Sequence, residues 1–263
     1  MTDSPHDDAY QTALITGGGS GLGQALAVAL AETGVAVTIV GRTEEKLQHT
    51  VDLATHAMGR VDYVVCDLRD PDAVNAMFDA MKTVPYTLVN NAAGAFVAFA
   101  EDISSSGWMA VVNSTLNSTF FVSSAWMKGR MRTRSGGGVI LNISSATCAG
   151  GSPGTVHSGA AKSGVTSMTK TLAIEWSRFG IRVNALEAGA FHTEGGATQI
   201  WGEPHIADRI QSKVALGRIA DLDEMVQPAL FLVSPRASYM TGSIMRVDGG
   251  WSLNNWLYIS PDD

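Results

Sequence analysis

Seven short runs of β-branched and apolar residues, separated by helical patterns, constrain the fold of this chain more than any other feature. The runs are Thr12–Thr16, Val35–Val40, Val61–Cys66, Thr87–Asn90, Val139–Ile143, Ile181–Leu186 and Ser243–Val247. They are largely continuous rather than strictly alternating, as strands covered on both faces tend to be. Helical patterns cover Leu22–Thr33, Glu44–Met58, Asp72–Thr83, Ser106–Arg130, Val156–Phe179, Pro204–Lys213 and Leu222–Val233. Asp221 and Glu224 have the spacing of a capping-box pair ahead of the last of these. Alternation of this kind predicts a parallel sheet with helices on both faces, the doubly wound α/β architecture. At 263 residues the chain suits one domain, placed at 10–259. Polar tails at 1–9 and 260–263 are expected to be flexible.

Charge narrows the class of partner. The formal net charge is -7 and no continuous basic run occurs, which argues against nucleic acid or an anionic membrane. Cys66 and Cys148 match no metal or redox spacing and read as small buried or half-buried thiols. The acidic, polar N-terminus is unlike a signal peptide, and no apolar run approaches a membrane span. The expectation is a soluble cytoplasmic protein that acts on a small molecule without a metal.

Thr16-Gly-Gly-Gly-Ser-Gly-Leu-Gly23 follows the first strand and opens the first helix. Tight turns alone need glycine. Between a strand and a helix, however, such a turn lets the backbone approach a pyrophosphate at the helix N-terminus. Gly17, Ser20, Gly21, Leu22 and Gly23 are the candidate contacts, and the fold becomes a Rossmann fold with a dinucleotide. The second strand ends at Val40-Gly41-Arg42, where an acid would hold the ribose hydroxyls. Arg42 instead suits the 2′-phosphate of NADP, against the plainer reading of a solvated arginine.

The stretch from Ser144 to Lys170 carries the chemistry. Ser145 lies thirteen residues before Ser158, and Ser158 lies one helical turn before Lys162, so these last two share a helix face. This layout resembles the catalytic stretch of the short-chain dehydrogenase/reductase family. The glycine turn has that family's spacing, and Asn90-Asn-Ala-Ala-Gly94 resembles its Asn-Asn-Ala-Gly segment with one alanine more. The resemblance runs from about Thr12 to Gly250. It implies that Asp67 and Leu68 meet the adenine, that Asn91, Ala92, Gly94 and Gly189 approach the cofactor, and that Lys162 holds the nicotinamide ribose. Asp67 also reads as an ordinary turn former at a strand end.

Three departures decide the functional reading. The family pattern is Ser, then Tyr-x-x-x-Lys, and the tyrosine position here is Ser158. The asparagine that holds a relay water in the family falls on Thr115. Glu187-Ala-Gly189 stands where Pro-Gly is usual. A serine hydroxyl is far less acidic than a phenol and is poorly matched to proton transfer near neutral pH. The peroxisomal trans-2-enoyl-CoA and 2,4-dienoyl-CoA reductases also lack the tyrosine, and Val156-His-Ser-Gly-Ala-Ala-Lys162 is similar to their pattern. Ile103–Trp108, Trp126–Lys128 and Ser234–Ser238 resemble the enoyl branch, and Thr193-Glu-Gly195 the dienoyl branch.

Hydride addition to a C=C conjugated with a thioester leaves an enolate, which needs hydrogen-bond donors more than a strong acid. Ser145, Ser158 and Lys162 suit that need, with Thr115 beside them. His157 reads as packed or as catalytic. An NADPH-dependent reductase of the C=C bond in an enoyl- or 2,4-dienoyl-CoA thioester is the leading reading. A carbonyl reductase with another proton route and a silent NADP-binding protein remain beside it. Arg209, Lys213 and Arg218 stand as a possible CoA-phosphate contact or a solvated helix face. Ala190–Leu216 is expected to form a lid. The long helices Ser106–Arg130 and Val156–Phe179 are apolar on more than one face, and the resemblance implies that they pair in a homotetramer.

Overall fold

The computed structural model describes residues 10–193 and 204–253. Their strands form one sheet in which every pairing is parallel. These are β1 (Thr12–Thr16), β2 (Ala36–Gly41), β3 (Val61–Val65), β4 (Thr87–Asn90), β5 (Gly138–Ser145), β6 (Ile181–Ala188) and β7 (Ile244–Val247). The spatial order is β3-β2-β1-β4-β5-β6-β7, so the winding reverses between β1 and β4. The expected doubly wound seven-stranded sheet is present. The expected tails fall largely outside the described residues.

Side-chain alternation splits the core into two layers. Ile15 of β1 and Leu141 of β5 face α1 (Gly21–Glu32) through Leu22 and Leu26. The last helix, Asp223–Val233, joins that layer through Met225 and Leu232. Leu14, Leu88 and Ile140 face the opposite layer, built from α3 (Pro71–Ala80), α5 (Ser118–Arg132) and α7 (Val156–Ser177). Phe78, Trp126 and Leu172 fill it. α2 (Glu44–Leu53) covers β2 and β3, and its Leu47 joins the first layer. Among the described residues, no helix is long and apolar enough to cross a membrane.

Three elements differ from expectation for local reasons. The helix over Ser106–Arg130 is interrupted. α4 (Ser105–Val112) passes through a π-turn at Asn113–Asn117 before α5 begins. There the Ser118 and Thr119 hydroxyls donate to the carbonyls of Ser114 and Thr115, and Asn117 bonds Asn113. Hydroxyls that bond back in this way bend helices. α2 ends at Leu53, short of Met58, and Thr55 donates its hydroxyl to the Asp52 carbonyl just beyond. Only half of the capping box forms: Glu224 accepts from the Asp221 amide at 2.9 Å, while Leu222 occupies the N-cap. Glu224 also pairs with Arg218, which holds its carboxyl down at about 2.

Candidate active site

The carboxyl ends of β1, β4, β5 and β6 converge on one edge of the sheet, at the reversal of winding. In open α/β sheets this edge is where ligands lie. A cleft of about 330 Å³ opens there, lined by Gly17, Gly19, Ser20, Arg42, Asp67, Leu68, Asn91, Ala92 and Ser114 among others.

The glycine turn is shaped by close approach. Gly17 has φ +67°, in the left-handed region, and donates its amide to the Val40 carbonyl. A Cβ on Gly23 would lie 2.4 Å from both the Gly17 oxygen and Asn91 Nδ2. Asn91 locks the turn to β4 by donating Nδ2 to the carbonyls of Thr16 and Gly17. Thr16 Oγ1 accepts the amides of both Asn91 and Ala92 at 3.0 Å. Asn90 turns inward and bonds Ser123 and Asn142, so of the two asparagines only Asn91 reaches the cleft.

The far end of the cleft is positively charged. Arg42, Lys46 and Arg69 line it with one acid, Asp67. The Arg69 guanidinium takes the Asp67 carboxylate at 2.6 Å and holds its carboxyl down at about 2, with Arg42 contributing. Lys46 and Arg69 are absent from the sequence reading. Their signals were a lysine in the first turn after the β2 loop and an arginine two residues past Asp67. Gly21 and Leu22 begin α1, and Leu22 turns into the core.

Ser145 ends β5, and its Oγ lies 2.9 Å from that of Thr147, on α6 (Thr147–Gly150). Ser144 points the other way and bonds the Lys162 carbonyl and Thr166 on α7. Lys162 is buried, and its Nζ donates to the Ile143 carbonyl at 2.5 Å. Burial pulls its pKa down to about 8. Ser158 is half-buried, and its hydroxyl has no partner among the described residues. The described tyrosines are engaged elsewhere or exposed. Tyr10 meets Tyr86 with the rings tilted at 58°, Tyr63 bonds Glu44, and Tyr239 is in solvent.

Two of the departures acquire a local structure. Thr115 is buried in the π-turn and exchanges hydrogen bonds with the backbone of Gly94, at 3.3 and 3.4 Å. Thr115 is therefore tied to the loop after β4. Ser114 on the same turn and Ser118 at the start of α5 line the cleft and were missed, because nothing in the sequence marks a π-turn. Glu187 is buried and pairs with Arg246 of β7 at 2.9 Å. Gly189 packs against Asp248, where a Cβ would come within 2.5 Å. Of the possible CoA contacts, Arg218 is committed to Glu224. The expected lid and the Thr193-Glu-Gly195 motif lie partly outside the described residues.

Residues 17–252 match a family model described as enoyl-(acyl carrier protein) reductase. The chain is 39% identical to a probable 2,4-dienoyl-CoA reductase of Bacillus subtilis, covering 93% of this chain and 98% of that protein. The chain belongs to the short-chain dehydrogenase/reductase family. Within that family it is also 34% identical to a 3-oxoacyl-[acyl-carrier-protein] reductase of Chlamydia trachomatis, over 91% of this chain and 96% of the relative. A short-chain dehydrogenase from Bacillus anthracis superposes with a TM-score of 0.83 at 36% identity, covering 95% of this chain and 99% of that one. The protein is thus an oxidoreductase of this family, and a nicotinamide dinucleotide fits the cleft: the glycine cradle admits no Cβ at Gly23.

Proposed function

We propose that this short-chain oxidoreductase uses NADPH to reduce a C=C bond conjugated to a thioester, in a 2,4-dienoyl- or 2-enoyl-CoA. The observation that carries the reading is Ser158, a hydroxyl without a partner among the described residues at the position of the family's phenol, on the same helix face as buried Lys162. Gly17, Ser20, Gly21, Asn91 and Ala92 would hold the pyrophosphate and nicotinamide half of the cofactor. Arg42 would take the 2′-phosphate, with Lys46 and Arg69 adding to the field. When bound, the reduced nicotinamide supplies hydride.

The residues of this chain then have an oxyanion to stabilise. Ser145, steadied by Thr147, and Ser158 would donate to the thioester oxygen as the enolate forms. Lys162 would hold the cofactor ribose and lend charge when protonated. Thr115 acts as a positioning residue, because it fixes Gly94 against the helix. Protonation at carbon can come from water, so no acid of phenol strength is required.

The Chlamydia relative favours a second reading, reduction of a 3-oxoacyl carbonyl. NADPH oxidation measured with 2,4-hexadienoyl-CoA, crotonyl-CoA and a ketone panel separates the two. Turnover of an unsaturated thioester with ketones nearly untouched is expected. Robust ketone reduction without turnover of any unsaturated thioester would overturn the proposal.

A further inference from the structure

A second cavity, of about 400 Å³, opens at the amino ends of β5 and β6, on the edge of the sheet away from the cofactor cleft. The eight residues of β5 place about 25 Å between the two. Three arginines line it: Arg130 in the last turn of α5, Arg134 just beyond that helix, and Arg178 at the end of α7. Among the described residues no acidic side chain lines it. Its apolar wall is made by Met131, which is exposed, Phe179, which is half-buried, and Ile181, which is buried.

The arginines differ in what they can bind. Arg130 is buried and donates to the carbonyls of Val84, Pro85, Gly136 and Gly137, so it lends the wall charge rather than donors. Arg134 and Arg178 are exposed, and neither guanidinium has a hydrogen bond or ion pair among the described residues. Arg178 lies over the Phe179 ring, with Cζ 4.8 Å from the centroid, which holds the charge beside the apolar wall.

Arg134 occupies a position where arginine is costly. Its φ is +52°, and among the described residues it is the only non-glycine with a positive φ. The end of α5 closes there in a Schellman turn. The Arg134 amide donates to the Met131 carbonyl at 3.2 Å, and the Ser135 amide to the Arg130 carbonyl at 3.0 Å. Glycine is the usual residue at this point of such a turn, and glycines follow at once at Gly136, Gly137 and Gly138. The turn itself gives no reason for a long cationic side chain. Backbone strain of this kind collects where a residue has a task beyond folding.

We infer that this cavity is a second ligand site, for an amphipathic carboxylate. Arg134 and Arg178 take the carboxylate, and Met131, Phe179 and Ile181 take the hydrocarbon tail. A guanidinium fork matches a carboxylate, and two of them stand here without a partner acid. The chain as a whole carries a net charge of -7, so this cluster reverses the sign that an anion meets elsewhere. A small inorganic anion would leave the apolar wall uncovered, which is why the ligand carries a tail. The volume is that of a small-molecule site. The inference does not depend on the thioester reading.

The test is calorimetric titration of the full chain with decanoate, decanol and acetate, with NADP⁺ present to occupy the cofactor cleft. Decanoate should bind at least about tenfold more tightly than decanol, which lacks the charge, and than acetate, which lacks the tail. Arg134→Gly/Arg178→Gln should lose at least about tenfold in decanoate affinity and keep its affinity for NADP⁺. Arg134→Gly alone should hold or raise the melting temperature, because glycine adopts the left-handed turn without strain, and should still weaken decanoate several-fold. Undetectable decanoate binding, equal affinity for decanoate and decanol, or decanoate binding that survives in the double variant would overturn the site. A lowered melting temperature in Arg134→Gly would show that the arginine serves the fold, and would overturn it too. So would a change of oligomeric state in either variant by light scattering, which would assign the arginines to contact with a second copy.

Discussion

Lys162 Nζ donates to the carbonyl oxygen of Ile143, buried between α7 and the end of β5. Burial lowers its pKa from 10.5 to about 8, so folding makes this ammonium easier to deprotonate. Between pH 8 and 10.5 the unfolded chain binds more protons at this site than the folded one, and stability therefore rises with pH across that window. Below it both states carry the charge and the cost of burial is fully present. The melting temperature of the cofactor-free protein should gain on that of Lys162→Met from pH 8 to 10. Parallel curves for the two proteins would count against a buried, depressed lysine.

Arg42, Lys46 and Arg69 make one end of the cleft cationic, with Asp67 already paired to Arg69. NADPH should bind at least about tenfold more tightly than NADH, the value of one charge-assisted contact. Arg42→Asp should reverse the order in a fluorescence titration. Equal affinity for the two cofactors in the unaltered protein would remove the assignment.

If enolate stabilisation is the catalytic task, Ser158→Ala should lower kcat/KM several-fold while Lys162→Ala costs on the order of a hundredfold or more. Ser158→Tyr restores the family's phenol without its relay asparagine, because Thr115 is bonded to Gly94. That variant should lose unsaturated-thioester turnover by crowding and gain little ketone reduction. Efficient ketone reduction by Ser158→Tyr would show that the phenol alone was missing.

The apolar surplus on the two long helices divides on folding. Trp126, Val165 and Leu172 turn into the protein's own core, and Met168 and Trp176 pack against it. Trp108, Met109, Phe120 and Ile174 remain exposed. A homotetramer held through these faces is expected in light scattering, and Phe120→Glu should shift it to smaller species without loss of the fold. A monomeric unaltered protein at assay concentration would contradict this.

Fold and cofactor edge were legible because both follow from local chemistry. Largely continuous apolar runs alternating with helical patterns suit strands of a parallel sheet, and a glycine turn between strand and helix places a ligand at the carboxyl edge. The spacing of Ser145, Ser158 and Lys162 is likewise set by a strand end and one helical turn, and the missing phenol is a fact of sequence alone. Where local hydrogen bonds competed with helix geometry, the reading missed. The π-turn at Asn113–Asn117 arises from hydroxyls and amides that bond back along the helix, and helix periodicity carries no sign of them.

What only the tertiary structure decided is where long side chains spend their hydrogen bonds and charge. Arg218 and Arg69 are cations in the sequence, yet one is committed to Glu224 and the other faces the cleft with Asp67 in hand. Arg130, which sequence gives no reason to bury, caps the carbonyls of Val84, Pro85, Gly136 and Gly137 at the opposite edge of the sheet. Glu187 is buried because β7 brings Arg246 beside it. Each outcome depends on partners distant along the chain, and the free energy of a buried polar group is set by those partners rather than by its neighbours in sequence.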